Sequence, residues 1–388
     1  MRRWAAYFVM LVLLTSTAGG FEEKYIGKEH FNLSGEEWSR RFGSFFFPDL
    51  GHTIREYSDG YIVGGMTIRF PYLEQYGWLL KLDKEGKMEW SKIMKDMEDL
   101  MDVEVVDGII AGGYGKDGDL KLVKMDFYGN IIWEKSYGGN YLDILKKDGC
   151  ISLTEDGGYV VLSTTWSFSN DKGADMWILK LDENGKKEWE KVYGKLEDAD
   201  IGYGVMEVEN GYIIVGQSFS FNHTEYGIVI KLDRNGNVEW EKRIGYAIMD
   251  VVAAGNSSFI ITGSMFNEER GKYEVMVAKM KDNGEFEWLK FYRSDTNAGG
   301  YSIDMTDDGK FWVCGNVDYK GNEDIWLLKI DKNGNEVWNA TYGKAGWDRG
   351  ECIRNTEDGG CIVAGSTTSF PWLFFPYRLN MWVIKIGG

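Results

Sequence analysis

His30, His52 and His223 are the three histidines of the 388-residue sequence, and no two have the spacing of a metal-ligand pair. No nucleophile elbow, phosphate-binding loop or zinc motif accompanies them, so no Ser-His-Asp set can be drawn. Histidines isolated in this way read as surface groups. Cys150, Cys314, Cys352 and Cys361 are not spaced for a metal either. They read as buried thiols on strands, with a Cys352–Cys361 bridge across one predicted hairpin left open. Repeated Asp-x-x-Gly phrases share the outline of a calcium loop but lack its further ligands, and hairpin turns explain them. No metal and no cofactor is therefore expected. One acidic position is different. Asp49, Asp200 and Asp348 each stand five residues before the apolar centre of a strand, at Ile54, Val205 and Ile353, with Asp143, Asp250 and Asp295 nearby. If those strands line a channel, the carboxylates ring its mouth. They could there hold a cation or polar ligand, or act as the acid and base of a glycan-active enzyme. The competing reading is an Asp that closes the turn into each strand.

A second candidate is apolar. The four prolines, Pro48, Pro71, Pro371 and Pro376, lie among clustered aromatics near the two ends of the chain. Phe46, Phe70, Tyr72, Trp372, Phe374, Phe375 and Tyr377 are the ligand-binding candidates of this group. Exposed aromatics mark a partner, membrane or ligand site, and stacking on sugar rings is one use. The alternative is that these loops pack on each other and seal a seam.

Both candidates depend on a repeat. Trp38, Trp90, Trp133, Trp189, Trp240, Trp288 and Trp338 recur about every 50 residues. Most follow a phrase such as KLDKEGKMEW, KLDENGKKEW, KLDRNGNVEW or KIDKNGNEVW. Between them recurs a second phrase, TEDGGYVVLS, TDDGKFWVCG or TEDGGCIVAG. Each unit reads as four short strands, a to d. An Asp-Gly turn joins a to b, and a tight loop ending in glycine joins c to d. That register places Lys81 opposite Glu89, Lys180 opposite Glu188, Lys231 opposite Glu239 and Lys279 opposite Glu287. Strand c, as in Met176–Leu181, is apolar on both faces, so sheets must pack face to face.

Strand c occurs seven times, ending with Val383–Ile386. The chain opens on a lone strand d around Trp38 and ends on a strand c, and the two complete one sheet with a Glu37–Lys385 pair. The fold class is all-β: a seven-bladed β-propeller of four-stranded antiparallel blades, in which the N-terminal strand closes the last blade. Eleven of the 16 tryptophans are architectural: the seven of strand d, and Trp78, Trp177, Trp326 and Trp382 in strand c.

The phrases DGGY-I/V-V-A-G and W-I/L-L-K-L-D-x-N-G-N-x-x-W resemble those of secreted propeller-like repeat proteins of archaea and bacteria, some of them lectin-like or kelch-like. The resemblance covers about residues 36–388 and implies the fold. Gly64-Gly65 and Gly112-Gly113, each followed by a Trp, are similar to the kelch layout. The chain also resembles quinoprotein repeats, although Asp83 to Gly86 is one residue shorter than their docking phrase and no vicinal cysteine pair is present. A related blade is implied, without the cofactor and without an active site.

Residues 1–20 have the plan of a secretory signal, with Arg2 and Arg3, an apolar run to Leu14 and small residues after it. An uncleaved anchor is the alternative, and residues 21–35 read as a linker before the propeller at 36–388. Sequons at Asn32, Asn222, Asn256 and Asn339 agree with export. A net charge of −17 argues against a nucleic-acid partner. The expected function is an exported, non-catalytic binding module at the cell surface or outside it. Its ligand is a protein or glycan, held by loops on one face. Membrane contact is expected only through an uncleaved anchor. The alternatives are the glycan-active enzyme and a structural surface protein.

Overall fold

The computed structural model describes residues 35–388 apart from short stretches at 44–46, 170–172, 195–197, 221–224, 246, 256, 320–321, 344–345 and 369–378. The described residues form seven antiparallel sheets arranged as the repeat predicts. Blade 1 is Asp49–Tyr57, Gly60–Arg69, Glu74–Asp83 and Met88–Met94, its strands a to d. Blades 2 to 6 follow at residues 97–137, 143–193, 198–244, 247–292 and 298–342. Blade 7 takes Asp348–Asn355, Cys361–Thr367 and Asn380–Ile386 from the C-terminus, and Glu36–Phe42 from the N-terminus is its outer strand. Ring closure is thus between the chain ends, with Arg40 paired to Val383 and Phe42 to Met381.

The recurrence of Gly with Trp has one physical cause. At each c–d turn of blades 1 to 6 the glycine N–H donates to the carbonyl three residues earlier, that of an Asp in all but blade 5, as Gly86 does to Asp83 at 3.0 Å. The turn needs a left-handed residue, and Gly86 has φ +74°. The tryptophan of the preceding blade then lies on that glycine. A Cβ on Gly86 would stand 2.5 Å from Trp38, and one on Gly236 2.8 Å from Trp189. The same indole donates into the turn, as in Trp38 Nε1 to Lys84 O at 3.0 Å and Trp240 Nε1 to Asp282 O at 2.9 Å. Each blade is therefore pinned to the next by a Trp on a Gly. At the seam, where no covalent turn exists, Gly35 (φ +78°) packs under Trp338, and Gly387 N donates to Gly35 O at 3.0 Å.

All the predicted Lys–Glu pairs form, at 3.0 Å for Lys81–Glu89, 3.2 Å for Lys180–Glu188, 3.5 Å for Lys231–Glu239, 3.0 Å for Lys279–Glu287 and 3.5 Å for Lys385–Glu37. The register differs by one residue from the expected one. Lys81 is paired with Trp90, and Glu89 is the extra residue of a β-bulge that repeats in the other blades. The strand c residues Met176–Leu181 are wholly buried, and each core cluster joins two neighbouring blades. At the seam Ile54, Val63 and Leu80 pack with Cys352, Ala364 and Val383. All four cysteines are buried free thiols, so Cys352 and Cys361 are not bridged.

Candidate functional site

Strand a, the innermost strand, carries a bulge in six blades. The register skips one residue at His52, Met101, Tyr203, Met249, Tyr301 and Glu351. All six are half-buried, although their flanking positions are mostly buried. A bulge turns the extra side chain out of the ladder, and on the innermost strand it turns it toward the ring's axis. Blade 3 departs from this pattern. Asp143 is paired with Thr165 and Ile151 with Val161, which puts eight residues of strand a against four of strand b. In blade 1 the same positions, Asp49 and Ile54, are five apart. The three additional residues of blade 3 expand the bulge into a loop at 145–150.

That loop reaches every other blade. Asp148 Oδ1 accepts from Arg55 Nη1 at 2.7 Å and from Thr53 Oγ1 at 2.6 Å, both in blade 1. Its Oδ2 accepts from Arg354 of blade 7. Gly149 N donates to Asp102 of blade 2 at 3.1 Å, and Gly149 O accepts from Val205 N of blade 4 at 2.8 Å. Lys147 Nζ donates to Met249 O of blade 5 at 3.0 Å and to Tyr301 O of blade 6. One short loop can bond six inner strands only where they converge, so it occupies the axis as a hub. Asp148 is fully buried, which works to raise its pKa. The Arg354 and Arg55 guanidiniums outweigh burial and hold the carboxyl below the usual carboxylate range.

The carboxylates expected at the mouth are buried at the start of strand a. Asp49, Asp143 and Asp348 are fully enclosed, and each accepts from the threonine paired with it at the end of strand b. The Thr67–Asp49 bond is 2.5 Å. Asp200 is buried at the equivalent place, opposite Ser218. These groups tie the start of strand a to strand b and present no open surface. Asp250 is likewise buried, accepting from Ser302 Oγ and Ile303 N, both at 3.0 Å. Among the aromatic candidates, Phe70 and Tyr72 are exposed, on the b–c loop of blade 1. Leu73 beside them is also exposed and adopts φ +58°. Phe46, Trp372, Phe374, Phe375 and Tyr377 lie outside the described residues.

A cavity of about 620 Å³ opens on the same face as Phe70 and Tyr72, where d–a and b–c connections emerge, but over blades 4 to 7. Its aromatic wall is Tyr203, Tyr273, Tyr301 and Trp347, and three of the bulge residues, Tyr203, Met249 and Tyr301, line it. The hub lies beneath, since Lys147 holds the carbonyls of Met249 and Tyr301 and Cys150 Sγ donates to Tyr203 O at 3.5 Å. The polar lining is mostly amide: Gln217, Asn297, Asn316 and Asn322, with the carboxylates Asp318 and Glu323. Asn297 is committed to the fold, because its Oδ1 accepts from Tyr273 N at 3.0 Å.

Trp347 stands out within the cavity. Its N–H donates to Thr368 Oγ1 at 2.6 Å and its carbonyl accepts from Thr368 N at 2.8 Å. A parallel bridge ties it to Glu323. The backbone is thus locked on two sides while 62% of the residue remains exposed. Trp347 was not singled out by the repeat. Elimination would have found it: with the 11 architectural tryptophans and Trp4 of the N-terminal apolar run set aside, Trp166, Trp312, Trp347 and Trp372 remain. Of these, Trp312 is buried and Trp166 half-buried.

No protein-family model and no curated protein sequence matches the chain. Solved structures do. A puromycin hydrolase, solved as an S511A mutant complexed with PGG, aligns with a TM-score of 0.54 and 10% identity over 82% of this chain and 50% of that one. The Pyrococcus horikoshii acylaminoacyl peptidase aligns with a TM-score of 0.50 and 9% identity over 86% and 51%. The chain spans about half the length of these two peptidase structures. At such identities the likeness is one of fold. A Bacteroides caccae protein of unknown function also matches, with a TM-score of 0.46 and 11% identity over 76% of this chain and 94% of that one.

Proposed function

We propose that this protein is an exported, non-catalytic binding module that holds a glycan in the cavity over blades 4 to 7. The observation that carries the reading is Trp347. A large aromatic left in water forgoes burial worth about 25 cal/mol per Å² of its apolar surface. Fixing its backbone rigidly while leaving the ring open makes sense if a ligand supplies the missing contact. A flat indole beside amide groups suits a sugar, which has an apolar ring face and an edge of hydroxyls. The volume, about 620 Å³, falls within the range of small-molecule sites.

Strand d of blade 7 begins at Glu36 on the face where c–d turns lie, and Ile386 ends strand c on that same face. Glu36 and Ile386 therefore lie on the face opposite the cavity.

The test is a panel of oligosaccharides, titrated against the full chain and its Trp347→Ala variant. Binding that falls at least tenfold in the variant, at unchanged thermal stability, is expected. Equal binding by both proteins would refute the site. The same panel is assayed for hydrolysis, because Asp318 and Glu323 face each other across one strand pair, and paired carboxylates are also what a glycosidase needs. Release of reducing ends that ceases in Asp318→Asn would replace the binding module with an enzyme.

A further inference from the structure

Two carboxylates stand directly opposite each other at the cavity. Asp318, at the end of strand b of blade 6, and Glu323, at the start of strand c, are partners in the antiparallel register. Like charges placed so repel one another. Glu323 is compensated, because Arg349 Nε donates to its Oε2 at 2.8 Å. Asp318 is not: among the described residues its exposed carboxylate makes no hydrogen bond and no ion pair. No Lys, Arg or His stands among the described residues lining the cavity.

Asn316, two residues before Asp318, is only 4% exposed and also lines the cavity. Its Oδ1 accepts from Gly350 N at 3.1 Å, while its Nδ2 has no hydrogen-bond partner. Burial raises the Tyr301 hydroxyl's pKa while the Asn316 amide works to lower it, so Tyr301 is the group that stands beside that donor. The bridge from Trp347 to Glu323 sets the indole beside the same strand pair. A stacking surface and an uncompensated negative charge are thus brought together along one edge of blade 6.

We infer that the cavity takes an amino sugar bearing a free ammonium group. This rests on the glycan reading above and names the sugar's charge. The ammonium pairs with Asp318 and relieves its repulsion with Glu323. The sugar ring stacks on Trp347. A uronate or sulfated sugar brings a further negative charge to a lining whose described residues include no cation, and is rejected.

Calorimetric titration of the full chain with three tetrasaccharides tests this: glucosamine with free amines, N-acetylglucosamine, and galacturonate. The free-amine oligomer should bind at least tenfold more tightly than the acetylated one, and the galacturonate should not bind measurably. Asp318→Asn should bring the free-amine oligomer down to the acetylated level and leave the acetylated one unchanged. Asp59→Asn, on an exposed a–b turn of blade 1 at the opposite face, controls for overall charge and should change nothing. Equal affinity for the free-amine and acetylated oligomers, or a loss in Asp59→Asn as large as that in Asp318→Asn, overturns the ammonium inference while leaving the glycan reading intact. No binding of any oligomer, with Trp347→Ala indistinguishable from wild type, overturns both. So does Asp318-dependent binding of an oligolysine peptide without binding of the sugars.

Discussion

Replacing Asp148 by Asn is the sharpest perturbation of the fold. The carboxylate is fully buried and serves two guanidiniums at once, with Arg55 at 2.7 Å and Arg354 on its other oxygen. Removing one partner of a buried ion pair costs about 3–5 kcal/mol, because the remaining charge stays desolvated. Arg354 is stranded here, whereas Arg55 keeps Asp102 at 3.2 Å and Glu104 at 2.6 Å, so the lower part of that range applies. Unfolding entropy of about 2.1 cal/mol/K per residue gives about 0.7 kcal/mol/K over roughly 350 residues, so a loss of about 3–4 kcal/mol should lower Tm by about 4–6 °C. Scanning calorimetry at pH 7 measures it. Because the pair is shielded from solvent, the deficit should persist in high salt, whereas Glu285→Gln, which breaks an exposed pair with Lys281, should have little effect at any salt. The pH dependence has a definite sign. The Asp148 carboxyl is held below its unfolded value, so its stabilisation is present above about pH 4 and is lost as pH falls through the folded value. The gap between wild type and Asp148→Asn should therefore be full between pH 5 and 7 and close in stronger acid. An Asp148→Asn variant that melts within about 1 °C of wild type would refute the hub as the tie between blades.

Two further perturbations follow from the turns and from blade 6. Gly86→Ala and Gly359→Ala both place a side chain at a left-handed position, but the Gly86 Cβ meets Trp38 at 2.5 Å whereas nothing lies within 4 Å at Gly359. Gly359→Ala should cost about 1–2 kcal/mol, and Gly86→Ala at least about 1 kcal/mol more, in urea unfolding; equal costs would deny the Trp-on-Gly pin. Burial, together with the neighbouring Asp348, pushes Asp324 up to about 6. A raised carboxyl contributes stability below its unfolded value that is lost as pH rises through the folded one. Tm should therefore decline between about pH 4 and 6 in wild type relative to Asp324→Asn, and parallel curves for the two proteins would refute this.

The repeat made the architecture legible because each blade obeys the same local rules. A turn needing positive φ demands Gly, and the next blade demands Trp upon it, so both recur at a fixed interval. The Lys–Glu pairs fixed the sheet order, and Glu37 with Lys385 located the closure. What sequence reading left out follows from the same regularity. The Asp before strand a looked like a ring of carboxylates because it recurs. It recurs because Thr67, Thr165 and Thr367 recur opposite it, and a buried Asp–Thr bond is what the start of each blade requires. The hub had a signal of its own, the eight residues from Asp143 to Ile151 where other blades have five, which distance along the chain revealed only once the pairing was known. The cavity had the weakest signal. Its residues run from Tyr203 to Trp347 and meet only because four blades converge.

The bulge position explains why a cavity lies over blades 4 to 7. Around the axis this single position holds His52, Met101, Tyr203, Met249, Tyr301 and Glu351 in a frame that barely changes. On the seam side His52 is internally committed. Burial alone would lower its pKa, but the Asp99 carboxylate at 3.2 Å, with Glu351 adding to it, raises it, so the charges there are spent on each other. On the opposite side the position is aromatic or Met, and the hub props it from below through Lys147. A surface whose charges are mutually satisfied gives a ligand little to bind. A floor of supported aromatics, edged by the Asp318 carboxylate, which has no partner among the described residues, gives it a ring face and a charge. Because Lys147 grips the Met249 and Tyr301 carbonyls, Lys147→Met should weaken ligand binding in the cavity while Asp318 and Trp347 stay in place. Unchanged affinity in that variant would show that the floor stands without the hub.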